Sequence, residues 1–255
     1  MNARVPLDMR ASTTPSRSLA LLVIVASLSP APVGANCTPG ALDLQDVWPR
    51  DGATGVPTNT RLLIHRHGTD AYRRQTPRLA LYDPGGRATR LRIVLDLESR
   101  QRTLVLRPTR ALAPSTRYEL STLPRSTRLA SITTGVGPDS TPPVVRGIEP
   151  ESFVRTEFGC GPADQIPIRV SATDDSDAVW LRLRVARSAA DVQRRSFVGD
   201  MVLPVEHGMA EFGHGMCIGN WALQPGQRWF AAAAVLDSAM HAVAAGTIEL
   251  DSHAR

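Results

Sequence analysis

The segment Pro49-Arg50-Asp51-Gly52-Ala53-Thr54-Gly55-Val56-Pro57 packs two glycines, an aspartate and two prolines between one β-type run and the next. Proline locks φ and gives up its amide, glycine opens the left-handed region, and aspartate bonds back to nearby amides. Such punctuation rules out a helix here and reads as the opening turn of a small all-β module.

The residues on either side repeat that reading. Leu91, Ile93, Leu95 and Leu97 alternate with Arg90, Arg92, Val94 and Asp96, the period-2 pattern of a strand with one dry face. Arg61-Leu62-Leu63-Ile64-His65, Leu79-Ala80-Leu81-Tyr82 and Thr103-Leu104-Val105-Leu106 are further β-type runs, and Asp83-Pro84-Gly85-Gly86 is a turn between strands. After the extended, proline-containing stretch 137–143 the pattern resumes. Ile166–Val170, Trp180–Val185, 201–205 and 229–235 are strand candidates, and 188–196 reads as a short helix or a loop. In 180–185 the strict alternation turns Leu181, Leu183 and Val185 inward and gives Trp180 the parity of Arg182 and Arg184.

The order Asp51-Gly52-Ala53-Thr54-Gly55-Val56-Pro57, Leu104-Val105-Leu106-Arg107-Pro108, Leu112-Ala113-Pro114-Ser115-Thr116-Arg117-Tyr118 and Thr133-Thr134-Gly135 resembles the bacterial Ig-like modules of S-layer and other exported proteins. Ile64-His65-Arg66 stands where that family usually has a phenylalanine. The second half resembles an Ig-like or fibronectin-like sandwich more loosely, through Ala172-Thr173-Asp174-Asp175-Ser176 and Val235-Leu236-Asp237-Ser238-Ala239-Met240-His241. The resemblance implies spacing, adhesion or display, and carries no shared chemistry. The expected fold is therefore all-β: two tandem Ig-like β-sandwich domains behind a cleaved signal peptide, with 1–35 as leader, 36–136 and 144–255 as domains, and 137–143 as linker.

The leader rests on Arg4, Arg10 and Arg17, an apolar core at 19–26, and the small residues Val33-Gly34-Ala35 before Asn36. That core is about half the ~20 residues a membrane span needs, so no transmembrane span is expected. Export to the periplasm or the extracellular space follows, and it permits disulfides. Cys160 and Cys217 are the expected pair. Cys37 is left free, paired between chains, or lipidated in a lipoprotein.

All 29 basic residues are arginine, a bias of coding rather than a nucleic-acid surface. Residues 36–136 carry 16 arginines against 8 acidic residues, and 137–255 carry 10 against 15. Solvated strand faces account for this simply; the alternatives are attraction between the halves or a basic face toward an anionic envelope polymer.

Candidate chemistry is sparse. His207, Met209, His214 and Met216 bring imidazole and thioether together in a glycine-rich stretch, a donor set suited to copper. Asp174, Asp175 and Asp177 crowd three carboxylates into one turn, a calcium candidate to which Asp139 and Asp237 can be brought in a sandwich. His65 and His67 share one side of a strand end, expected to be exposed. The four tryptophans are expected in the core rather than as a sugar-binding platform. No Gly-x-Ser-x-Gly elbow, His-Glu-x-x-His or phosphate loop occurs, so no enzyme activity is expected. The expected function is a non-catalytic Ig-like binding or spacer protein of the bacterial cell envelope, with an unknown envelope protein or anionic polymer as partner. The alternative is a periplasmic copper-binding carrier using residues 207–216.

Overall fold

Alternating apolar strands need a second apolar layer, and each half of the chain supplies its own. The computed structural model describes residues 46–66, 78–98, 102–125, 127–158, 161–176, 178–215 and 219–253. In the first half the strands are β1 (Asp46–Trp48), β2 (Ala53–Val56), β3 (Leu62–Arg66), β4 (Leu79–Tyr82), β5 (Ala88–Glu98), β6 (Arg102–Pro108), β7 (Arg117–Thr122) and β8 (Arg128–Thr134). They are hydrogen-bonded in the order β1-β3-β6-β5-β4-β7-β8-β2. The long β5 pairs with β4 at its start and with β6 beyond, with a bulge between Ile93 and Leu95. The ladder folds over there. Leu62, Ile64, Leu104 and Leu106 then meet Leu79, Leu81, Leu120 and Ile132 in one buried cluster.

The opening turn works as its residue types require. Gly52 and Gly55 both take positive φ, 84° and 70°. Asp51 Oδ1 accepts from the Ser131 N–H at 2.7 Å and pairs with Arg128 at 2.7 Å, which pins the turn to β8. These contacts hold the Ser131 N–H first, then the Ser131 hydroxyl and Arg128, against the carboxylate, and they keep its pKa below the usual range. Tyr118 buries its ring and accepts the Ala113 N–H on its hydroxyl at 2.9 Å, so the loop before β7 is fastened to that strand.

The second half contains β9 (Val144–Pro150), β10 (Val154–Phe158), β11 (Gly161–Thr173), β12 (Val179–Ala186), β13 (Gly199–Pro204), β14 (Met209–His214), β15 (Arg228–Asp237) and β16 (Ala242–Asp251). One sheet joins β10, β11 and β14, with β9 also on β11; the other runs β13-β12-β15-β16. Ile166, Ile168 and Phe212 from the first sheet pack on Leu181, Leu183, Val185, Leu203 and Ile248 from the second. The short helix α1 (Ala189–Gln193) is capped by Ser188, whose hydroxyl accepts the Asp191 N–H. Both halves are β-sandwiches.

The glycine-rich stretch from His207 is in part a strand. Ala210 and Phe212 alternate into the core from β14, and that burial outweighs the poor strand propensity of the glycines. Gly213 is required by close approach: at φ 135° a Cβ there would lie 2.2 Å from the Asp164 carbonyl oxygen.

The halves are not held apart by the proline-containing connection. The described residues of both halves fall in a single compact unit, and a third buried cluster draws on both halves. Leu63, Leu97, Val105 and Trp48 come from the first, Trp180, Val202 and Leu236 from the second. Most have the parity opposite to their sandwich core, since Leu62 and Ile64 flank Leu63 while Leu181 follows Trp180. Leu95 and Leu97, expected on one face with Leu91 and Ile93, turn to the seam because of the bulge after Ile93. Leu63 stands opposite Val105, and Trp180 opposite Leu236, across their ladders. Burying an apolar side chain of this size is worth roughly 1.5–3 kcal/mol, so this seam carries several times that. His65, expected at an exposed strand end, is buried there and donates from Nε2 to the Val202 carbonyl at 3.0 Å. His67 lies outside the described residues.

Candidate functional site

Two features lie where the halves meet: a cleft and a knot of carboxylates. The opening turn forms one wall of the cleft. Trp48, Arg50, Thr54 and Pro57 face Ala178, Val179, Glu206 and His207 around a volume of about 410 Å³. A latch borders it. The Trp48 indole donates to Glu206 Oε1 at 3.0 Å, Arg50 donates to the same oxygen, and the Arg50 guanidinium lies 4.2 Å from the Trp48 ring centroid. On the other side of the latch a second cleft of about 500 Å³ reaches Asp46, His65, Met209 and Glu211.

The carboxylates come from three separate segments. Asp139 lies in the connection between the halves, Asp174 and Asp175 in the β11–β12 turn, and Asp237 at the start of the β15–β16 turn that also carries His241. Ligand atoms of Asp139, Asp174 and Asp175 lie within 4.8 Å of one another, and so do those of Asp139, Asp237 and His241. Asp139 belongs to both groups. It is fixed by the first half: Asn59 Nδ2 donates to the Asp139 carbonyl at 2.8 Å, and the Asp139 N–H donates to Asn59 Oδ1 at 2.9 Å. Close by in the chain, the Arg61 N–H donates to the Ser238 carbonyl at 2.6 Å.

Hydrogen bonding uses one oxygen of each of two carboxylates and leaves the other. Asp139 Oδ1 accepts the Thr141 N–H at 2.9 Å, whereas its Oδ2 is buried without a hydrogen-bond partner. Asp174 Oδ2 accepts the N–H and hydroxyl of Ser176, whereas its Oδ1 is likewise buried and unpartnered. Asp237 is fully buried and satisfied by its own turn, accepting from the His241 N–H at 2.8 Å and from His241 Nδ1 at 2.7 Å. Burial, reinforced by the charges of Asp139 and Asp237, pushes the Asp174 carboxyl above the usual range, although its hydrogen bonds to Ser176 pull the other way. Among the described residues no arginine pairs with any of these four carboxylates.

Of the residues read from the sequence as a calcium candidate, Asp174 and Asp175 are brought together, and Asp177 lies outside the described residues. Asp139 and Asp237 do join the turn.

The copper set is spread out. His207, in the turn before β14 at φ 52°, and His214, at the far end of β14, are separated by the length of that strand, roughly 20 Å at ~3.4 Å per residue. A single ion cannot touch both imidazoles. Met209 begins β14, and Met216 lies outside the described residues. His214 Nε2 instead lies 3.8 Å from the buried Asp164. Cys37, Cys160 and Cys217 also lie outside the described residues.

All four tryptophans are packed. Trp48 and Trp180 are in the seam, and Trp221 stacks on Phe212 with ring centroids 5.7 Å apart and meets Trp229 edge-on at 5.2 Å. Among the described residues no helix is long and apolar enough to cross a membrane.

No protein-family model matches the chain, and no curated protein matches it. Among solved structures it is similar to a pullulanase from Anoxybacillus sp. LM18-11, with 10% identity over 72% of this chain and a TM-score of 0.26. It is also similar to the FN1–FN3 domains of chicken CNTN1, with 13% identity over 82% of this chain and 66% of that one, at a TM-score of 0.24. A third is pullulanase type I from Bacillus subtilis str. 168 complexed with maltose, with 7% identity over 76% of this chain and a TM-score of 0.25. The chain spans about a quarter of the length of either pullulanase, 24% in each case.

Proposed function

We propose that the chain is an exported, non-catalytic protein of the bacterial cell envelope in which two Ig-like sandwiches act as one stiff binding or spacing element. The observation that carries this reading is the shared apolar seam around Trp180. A buried contact between sandwiches, added to a short connection, fixes one against the other and makes the pair a single part rather than two beads on a string. The first sandwich is proposed as a bacterial Ig-like module of the S-layer type, a reading supported by the Asp51–Ser131 clamp and the Tyr118–Ala113 fastening at the motif positions. The arginine-rich first half offers its partner, an envelope protein or an anionic envelope polymer, a surface of complementary charge.

Two measurements test the reading. Intact mass of the protein recovered from its host tests export: cleavage after Ala35 in a periplasmic or extracellular fraction is the expected result, and unprocessed protein in the cytoplasm overturns it. A loss of two protons' worth of mass on oxidation, reversed by reduction, is expected from Cys160 and Cys217. NMR relaxation tests stiffness, with one rotational correlation time expected for both halves and two independent times overturning the single-element reading.

A further inference from the structure

We infer that Asp139, Asp174 and Asp175 form a binding site for one hard divalent cation, calcium, at the junction of the two sandwiches, with Asp237 as the adjoining carboxylate. An acidic turn alone does not make a site. Here the decisive observation is a pair of buried carboxylate oxygens, Asp139 Oδ2 and Asp174 Oδ1, each without a hydrogen-bond partner although its twin oxygen on the same carboxylate is hydrogen-bonded. Asp139 as a whole is 8% exposed. A buried carboxylate oxygen without a partner costs free energy, and two of them in a group of like charges add repulsion to desolvation. A cation between them removes both costs at once.

The donor set chooses the ion. The first group is all oxygen, and it draws on two chain segments far apart in sequence, which suits the irregular, six-to-eight-coordinate shell of calcium better than the strict octahedron of magnesium. Zinc is disfavoured in the first group because its donors are carboxylates alone, without the imidazole or thiolate that zinc prefers; the His241 imidazole belongs to the second group, with Asp139 and Asp237. The placement gives the ion a mechanical consequence. Asp139 is tied to Asn59 of the first sandwich, while Asp174 and Asp175 sit on a loop of the second, so the ion cross-links the connection to the distal sandwich.

The test uses the full chain, stripped with a chelator and titrated with calcium chloride in a calorimeter, with thermal unfolding followed in parallel. Saturable binding of one calcium per chain and a rise in Tm are expected, with magnesium much weaker. Asp139→Asn should abolish both responses. Asp175→Asn, at the exposed rim where folding is not at stake, should weaken binding about tenfold or more by removing one ligand charge. The inference is overturned by the absence of binding heat and of any Tm change up to millimolar calcium. It is equally overturned if both variants respond like the parent, or if zinc stabilises the protein and calcium does not.

Discussion

The contact between the two sandwiches has an apolar part and an acidic part, and the two are built on opposite principles. In the seam, Trp180, Leu63, Val105 and Val202 are buried to within 1% of full exclusion, and their packing is favourable whatever the ionic conditions. In the knot, four aspartates approach one another and two of their oxygens are left buried and unpartnered. The seam joins the halves unconditionally, whereas the knot rewards closure only when something positive is present. A molecule carrying both has a fixed joint with an adjustable reinforcement beside it.

The largest effect belongs to the seam. Trp180→Ala should cost about 3–5 kcal/mol, the usual range for a buried aromatic truncated in a packed site. Calorimetry should then show the single unfolding transition of the parent split into two. A single transition lowered by the same amount would mean that the halves remain coupled without the seam. The knot should answer with the opposite sign. In chelated protein Asp139→Asn should raise Tm, because it removes a charge from a repelling group while keeping the oxygen that accepts from Thr141. A fall in Tm would show that repulsion there is not the dominant cost.

Smaller still is the latch beside the cleft. Glu206→Ala should cost about 1 kcal/mol or less, since Arg50 and Glu206 are both nearly half exposed and water replaces most of what their pairing provides. Its signature is a faster opening of the joint, read by hydrogen exchange at the Trp48 amide, with little change in Tm.

Smallest is a pH effect confined to the first sandwich. Asp51 is held below its usual pKa chiefly by the Ser131 N–H, so its contribution is complete above the unfolded carboxylate value. It is lost as pH falls through the lower, folded value. Asp51→Asn should therefore lower stability slightly at neutral pH, flatten the acid limb of the profile and converge with the parent at acid pH. An unaltered acid limb would show that the clamp does not titrate with folding.

Much of this architecture was legible residue by residue. The alternation along 181–185 marks which side chains enter the second sandwich, that along 91–97 does so for the first only as far as the bulge after Ile93, and the Asp51–Pro57 turn states its own φ requirements. The runs Leu62-Leu63-Ile64 and Leu104-Val105-Leu106 also carried a sign of the seam, because strands apolar on both faces are buried on both faces. Trp180 did not: its neighbours Arg182 and Arg184 give that face a wet look, and it is the seam shared with the first half that covers it. The β14 strand was hidden by glycines whose reason, the approach of Gly213 to the Asp164 carbonyl, lies in a distant strand.

Local periodicity thus determines strands, turns and the inward face of each sheet, since it depends on sterics and side-chain parity within a few residues. It says nothing about what covers an outward face, nor that Asp139 meets a turn 35 residues further along the chain. Those outcomes belong to long-range packing, where the free energy of burying one surface depends on the shape and charge of another.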